Sequence, residues 1–262
     1  MMRALYTAAT GMIAQQYNID TISNNLANVN TTGFRKNEAR FQDLIYQNLR
    51  APGTPVGPSV VPVGQDVGLG VKVGASEKTF TEGVLQQTSN PLDVAIQGDG
   101  FFQITLPDGT AAYTRDGSFK RDANGAIVTA DGYFLSPQIT VPQNATQVSI
   151  GSDGVVTALI PGQQAPQQLG QIQLVRFTNN AGLAPQGQNN YTQTAASGAP
   201  TLSQPGLNGA GTLQGGYLEQ SNVAVVEEMV NLITAQRAYE ANSKAISTAD
   251  TMLSTAVQMK VG

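Results

Sequence analysis

The chain has 262 residues, and its 14 Lys and Arg against 18 Asp and Glu give a formal net charge of -4, which leaves no basic footprint for nucleic acid. It contains neither cysteine nor histidine, so thiol nucleophiles, histidine-based triads and the usual zinc sites are excluded together. Only 12% of its residues are charged, and no apolar run reaches the ~18 residues that a membrane span needs.

Residues 1–34 read as a helix. Leu5, Met12, Ile19 and Leu26 recur every seventh residue, and Ala8, Gln15, Ile22 and Val29 take the second seam position. That alternation of three and four marks a helix built to lie along another helix. Asn28 to Thr32 are turn and cap formers, and Gly33 is the expected stop. Only Arg3 and Asp20 carry charge before the stop. A solvated helix face normally carries Lys and Glu pairs; one of small neutral polar residues suits close packing against neighbouring chains. Thr7, Thr10, Gln15, Gln16, Asn18 and Asp20 interrupt the place where the apolar core of a secretory signal would sit, so any export is expected to use another route.

Composition shifts in residues 35–80. Pro52, Pro55, Pro58 and Pro62 fall among Gly53, Gly57, Gly64, Gly68 and Gly70. Prolines at that density forbid a helix and confine strands to edges. Val56, Val60, Val61, Val63 and Val67 add apolar content that a free linker lacks. The expectation is an extended hairpin that packs on something and supplies stiffness.

Residues 81–217 read as an outer β module. Short alternating runs such as Val94-Ala95-Ile96 and Phe101-Phe102-Gln103-Ile104 are separated by Asp108-Gly109, Asp116-Gly117, Asn124-Gly125 and Asp131-Gly132. These dipeptides supply the positive φ of tight hairpin turns, and their spacing predicts a meander. From Ala181 to Gly216 the chain reads as irregular.

Residues 218–262 read as a second long helix. Val225, Leu232, Tyr239, Ile246 and Leu253 recur at seven, with Ala235, Ala249 and Ala256 between them and Glu228 and Asn242 as polar interruptions. The two seams predict an α+β protein in which N- and C-terminal helices form a coiled-coil-like pair around an intervening all-β module. Neither seam can be buried fully within one subunit, so self-assembly through the seam residues is expected.

The residues give no catalytic, cofactor or metal site. Asp122-Ala123-Asn124-Gly125 breaks the spacing of a calcium loop and has no twelfth-position glutamate. Gln97-Gly98-Asp99-Gly100-Phe101 leads into a strand, whereas a phosphate cradle opens a helix. The chain is therefore expected not to be an enzyme.

Several blocks are similar to one known family. Ser23 to Arg35 (SNNLANVNTTGFR, with Ser23, Asn24, Asn25, Leu26, Ala27, Asn28, Gly33 and Phe34 as its signature), Asp93 to Ile104 (DVAIQGDGFFQI) and Tyr113 to Leu135 resemble the bacterial flagellar rod and hook family. So do Gly206 to Val223 and Gln236 to Leu253. The blocks fall in order along essentially the full length, and Tyr46-Gln47 followed by Arg50-Ala51-Pro52-Gly53 resembles the insertion after the first helix in the distal-rod branch. The resemblance implies a rod subunit that polymerises into a hollow helical tube and acts as a drive shaft carrying torque from motor to hook. It implies export unfolded through the flagellar type III apparatus, and a place in the basal body where the rod crosses periplasm and outer membrane. Implied partners are further copies of the chain, proximal rod proteins, hook or hook-junction proteins, and the peptidoglycan- and outer-membrane ring proteins, with no nucleic acid and no membrane insertion. Two alternatives stay open at this point: a proximal rod protein, or a coiled-coil-anchored β-rich fibre or adhesin subunit.

Overall fold

The computed structural model describes residues 2–53, 55–56, 59–60, 62–162 and 165–261. It is an α+β protein: two long helices near the ends of the chain and a strand-rich middle. The chain forms two compact units, one of residues 1–27, 37–78 and 224–262, the other of residues 28–36 and 79–223.

In the first unit, α1 (Met2–Ala27) and α2 (Val225–Val261) pack against each other, and α1 also packs on two strands. At 37 residues, α2 is about 55 Å long. Neither helix contains proline, and Glu227 and Glu228 occupy the first turn of α2, where carboxylates favour the positive end of the helix dipole.

Residues 37–78 form three nested antiparallel pairs. The outermost joins β1 (Asn37–Asp43) to β6 (Val71–Lys78), with a register shift between Arg40 and Phe41. Inside it, β2 (Tyr46–Arg50) pairs with β5 (Gln65–Gly68), and β3 (Pro55–Val56) pairs with β4 (Ser59–Val60). Pairing is carried past the first step by the Leu44 amide, which donates to the Gly70 carbonyl at 2.8 Å.

The second unit begins with β7 (Leu85–Gln87), β8 (Val94–Gln97), β9 (Phe101–Thr105) and β10 (Ala111–Thr114). Next come β11 (Lys120–Arg121), β12 (Ile127–Val128), β13 (Phe134–Ser136), β14 (Gln147–Ile150), β15 (Val155–Leu159), β16 (Gln167–Gln171) and β17 (Leu174–Arg176). Last are β18 (Ala184–Gly187), β19 (Asn190–Thr192), β20 (Thr201–Ser203), β21 (Thr212–Gly215) and β22 (Tyr217–Glu219). The main sheet runs β11-β12-β13-β9-β10-β19-β18. Strand β9 is its axis: Phe101 and Phe102 pair with β17, and Gln103 to Thr105 pair with β13. Smaller ladders join β14-β15-β16, β21 to β8 and β22 to β7.

Successive residues of a strand point to opposite faces, and β9 puts one phenylalanine into each of two cores. Phe102 lies with Val94, Ile96, Phe119, Ile127, Leu135 and Ile172. Phe101 lies with Tyr113, Val175, Phe177, Leu183 and Tyr191, with Phe80 packed against them. The rings meet edge-on, Phe102 with Phe119 at 5.1 Å and Tyr113 with Phe177 at 4.8 Å between centroids, the geometry that the ring quadrupoles favour.

Three expectations need correction. Gly109, Gly125, Gly132 and Gly154 hold positive φ, but Gly117 does not. Its missing side chain instead lets the backbone of Val94 pass: a Cβ there would overlap the Val94 carbonyl oxygen, and the Val94 amide donates to the Gly117 carbonyl at 3.0 Å. Nor is Gly33 the helix stop. The Asn28 turn ends α1 six residues earlier, while Gly33, at φ +67°, brings its amide to the Glu219 carbonyl at 2.9 Å. Residues 181–216 are not irregular throughout, because β18 to β21 lie there; their length of three or four residues and turn-forming composition hide the alternation.

Candidate functional site

Two clusters stand out, one in each unit. The first is the face shared by α1 and α2. On α1, Ala8 and Ile22 are buried, and Leu5, Met12, Gln15, Ile19 and Leu26 are half-buried. On α2, Glu228, Ala235 and Ala249 are buried, and Leu232, Asn242, Ile246 and Leu253 are half-buried. Val225 and Tyr239, expected in the same row, are 40% and 38% exposed. Polar groups interrupt this face at particular points. The Asn25 side chain, 1% exposed, donates through Nδ2 to the Asn37 carbonyl and accepts at Oδ1 from the Asn37 amide, both at 2.9 Å. The same Nδ2 lies 3.4 Å from Glu228 Oε2. Further along, a Cβ on Gly11 would come within 2.9 Å of Asn242 Nδ2.

The second cluster is ionic and buried in the second unit. Arg35 Nη2 donates to Glu219 Oε1 at 2.6 Å, and Arg115 Nε donates to Glu219 Oε2 at 3.0 Å. Arg115 Nη1 donates to the Gly98 and Gly100 carbonyls, each at 2.8 Å. Glu219 Oε1 also accepts from the Gly83 amide at 2.9 Å. Solvent reaches neither partner of the Arg35–Glu219 pair. Burial pushes the Arg35 guanidinium below its ordinary range, Arg115 pushes it the same way, and Glu219 opposes both. Close by, burial raises the Tyr191 hydroxyl to about 12 against the pull of the two guanidiniums.

Further polar contacts around this cluster involve the motif blocks. Asn222 accepts from the Lys36 amide at 2.7 Å and donates to the Thr79 carbonyl at 2.8 Å. Asn189 Nδ2 donates to the Thr32 carbonyl at 2.9 Å. Arg35, Arg115 and Glu219 were absent from the residues singled out in the sequence, although each lies inside a motif block. Their one usable signal is charge kept inside motif blocks of a chain in which only 12% of residues are charged.

The other expected residues are scattered. Asn25, Gly33 and Phe34 are buried, Leu26, Asn28 and Val29 are half-buried, and Ser23, Asn24 and Ala27 are exposed. Pro52, Gly53, Pro55 and Pro62 are exposed. Pro58 lies outside the described residues. Among the described residues no group of His, Cys, Asp or Glu is placed to hold a metal ion, and no helix is long and apolar enough to cross a membrane.

Comparison with known proteins puts this chain of two long helices and a strand-rich middle among the flagellar axial proteins. Three family models match in chain order: "Flagella basal body rod protein" over residues 5–35, "Flagellar hook protein FlgE/F/G D1 domain" over 95–158, and "Flagellar basal body rod FlgEFG protein C-terminal" over 214–259. The flagellar basal-body rod protein FlgG of Borreliella burgdorferi is 52% identical over 263 residues, covering 99% of both chains. That of Caulobacter vibrioides is 51% identical over 99% of this chain and 100% of its own, and that of Bacillus subtilis 40% over the same shares. The flagellar hook protein FlgE of Helicobacter mustelae is 45% identical, but over 52% of this chain and 30% of its own. The chain belongs to the FlgG family of flagellar basal-body rod proteins. It is a structural subunit of the distal rod, part of the flagellar axial structure of rod and hook, and not an enzyme.

Proposed function

We propose that copies of this chain polymerise into a hollow helical tube that serves as a rigid drive shaft between motor and hook. In this reading α1 and α2 form a coiled-coil-like inner layer, and the seam residues from Leu5 to Val29 and from Val225 to Leu253 carry self-assembly. The observation that supports it most is apolar surface left open on both helices, at Val225 and Tyr239 in the seam row and on the faces turned away from it. On α1, Met2, Tyr6 and Ile13 are exposed; on α2, Val226, Met229, Val230 and Ile233 are exposed. Their spacings of three, four and seven put each set on one face. Contiguous apolar faces of that kind mark a protein partner, and a symmetric homopolymer supplies the same face repeatedly.

The nested hairpin, with Pro52, Gly53, Pro55 and Pro62, is the stiffening element, since proline fixes φ and limits bending. Ring proteins of the peptidoglycan and outer membrane, proximal rod proteins and hook proteins are its neighbours, and the type III apparatus its export route.

Electron microscopy of the purified full-length chain, with sedimentation over rising concentration, tests the reading. Straight hollow tubes growing from monomer, or growing only from a proximal-rod seed, support it. Small closed oligomers that never elongate, with or without the seed, would sink it.

A further inference from the structure

The apolar seam of the first unit repeats without a landmark. On α1, Leu5, Met12, Ile19 and Leu26 stand seven apart, and on α2 so do Leu232, Tyr239, Ile246 and Leu253. Helices with such repeats can slide by one heptad, about 10 Å, and present nearly the same apolar row again. Only residues that break the repeat tell one register from the next.

On α2 the repeat is broken by Glu228 and Asn242, two heptads apart. Each meets a matching irregularity on α1. Asn25 aims its Nδ2 at Glu228 Oε2, a buried contact of 3.4 Å. Gly11 leaves a space that the Asn242 carboxamide occupies, so that a Cβ at residue 11 would stand 2.9 Å from Asn242 Nδ2. Gly11 and Asn25 are also two heptads apart and run in the opposite order, so the two meetings define a single antiparallel register.

We propose that Asn25–Glu228 and Gly11–Asn242 are register pins: positioning residues that select one alignment of α1 and α2 and so fix how far α2 runs past the start of α1. Slid one heptad in one direction, Asn242 faces Ala4, whose methyl group fills the kind of space that Gly11 leaves open. Slid in the other, Glu228 passes beyond Ala27, the last residue of α1. In both cases Asn25 loses Glu228. The Asn25 side chain cannot follow a sliding helix, because two 2.9 Å bonds tie it to the Asn37 backbone. Single polar residues in an apolar seam are known to set register in this way. The pins lie within one chain and act whether or not it assembles.

The chain has no cysteine, so Asp20→Cys and Lys244→Cys, both at exposed positions, accept nitroxide labels without background. Pulsed dipolar spectroscopy of labelled chain diluted in unlabelled chain, under conditions where circular dichroism shows both helices formed, then reads the axial offset between them. With the pins intact one distance is expected. Glu228→Leu with Asn242→Leu makes the seam more apolar and should add a second population displaced by about 10 Å, one heptad of rise. A single unshifted distance in that variant would overturn the proposal. If the double variant does not form both helices, Glu228→Leu with Gly11→Ala decides the matter, since it removes both meetings and places a better helix former at the second. A displaced or split distance there supports the pins, and an unchanged one overturns them.

Discussion

Arg35 and Glu219 are 184 residues apart in the chain, and their side chains meet at 2.6 Å with no solvent access to either. Arg35 uses Nη2 alone; its Nε and Nη1 are buried without a hydrogen-bond partner among the described residues. A buried ion pair made this way is weak evidence for net stability, because desolvation of the charges offsets their attraction. Breaking it is another matter. Glu219→Gln removes the carboxylate charge that both buried guanidiniums face and should destabilise the chain by about 3–5 kcal/mol. Denaturant unfolding followed by near-ultraviolet circular dichroism of the buried tyrosines measures it. The exposed Arg40–Glu77 pair at 3.3 Å serves as the control: Arg40→Gln should change stability by ~1 kcal/mol or less. Equal losses for the two variants would mean that the buried cluster has no special weight.

Two glycines separate conformational need from spatial need. Gly109 sits at φ +81° with nothing near its absent side chain, whereas Gly117 has an ordinary φ and the Val94 carbonyl against it. Gly109→Ala should lose roughly 1–2 kcal/mol, the strain of a left-handed residue. Gly117→Ala must move backbone and should lose about 3 kcal/mol, the upper end of overpacking losses. Thermal melts of both variants give the order, and a larger loss at Gly109 would contradict the geometry.

Asn25→Ala removes both partners of the Asn37 backbone at once. Leaving partly buried amide and carbonyl groups unpaired costs about 1–3 kcal/mol. Hydrogen exchange read by mass spectrometry should show the start of β1 losing protection before the far end of α1 does. Protection unchanged at Asn37 would show that the side chain is dispensable.

Tyr191 predicts an alkaline limit. Its ordinary value is 10.0 and burial raises it to about 12. Between those values the unfolded chain has released the proton while the folded chain still holds it. The associated stability is therefore fully present below about pH 10 and is lost as pH rises towards 12. Tyrosinate absorbance during alkaline titration should show one late component that Tyr191→Phe removes, and the variant should show a shallower fall in stability over that window. A variant with the parental slope would place the late titration elsewhere.

Periodicity made the helices legible, because the seam residues of α1 and α2 follow a pattern that only one backbone geometry puts on one face. Turn chemistry made most of the hairpins legible through Gly109, Gly125 and Gly132. What stayed hidden depends on neighbours distant in sequence. Gly117 reads like its companions until Val94 is seen beside it. Glu219 looks like the solvated end of a short strand, and nothing local in Tyr217-Leu218-Glu219 reveals two arginines waiting 104 and 184 residues earlier. Strands of two to four residues such as β18 and β20 are too short to display alternation, so their pairing is decided by the sheet they join.

The division of the chain carries a consequence for timing. The first unit is interrupted after residue 27, resumed from 37 to 78 and completed only from 224 onward, and the second closes on Glu219. A polypeptide that emerges amino end first, from a ribosome or a narrow channel, therefore presents α1 and Arg35 early and their partners nearly last. Neither unit can make its full set of contacts in a half-delivered chain, and long-range closure of this kind is slow in any case. Completion of both units waits for the moment when almost the whole polypeptide has come through.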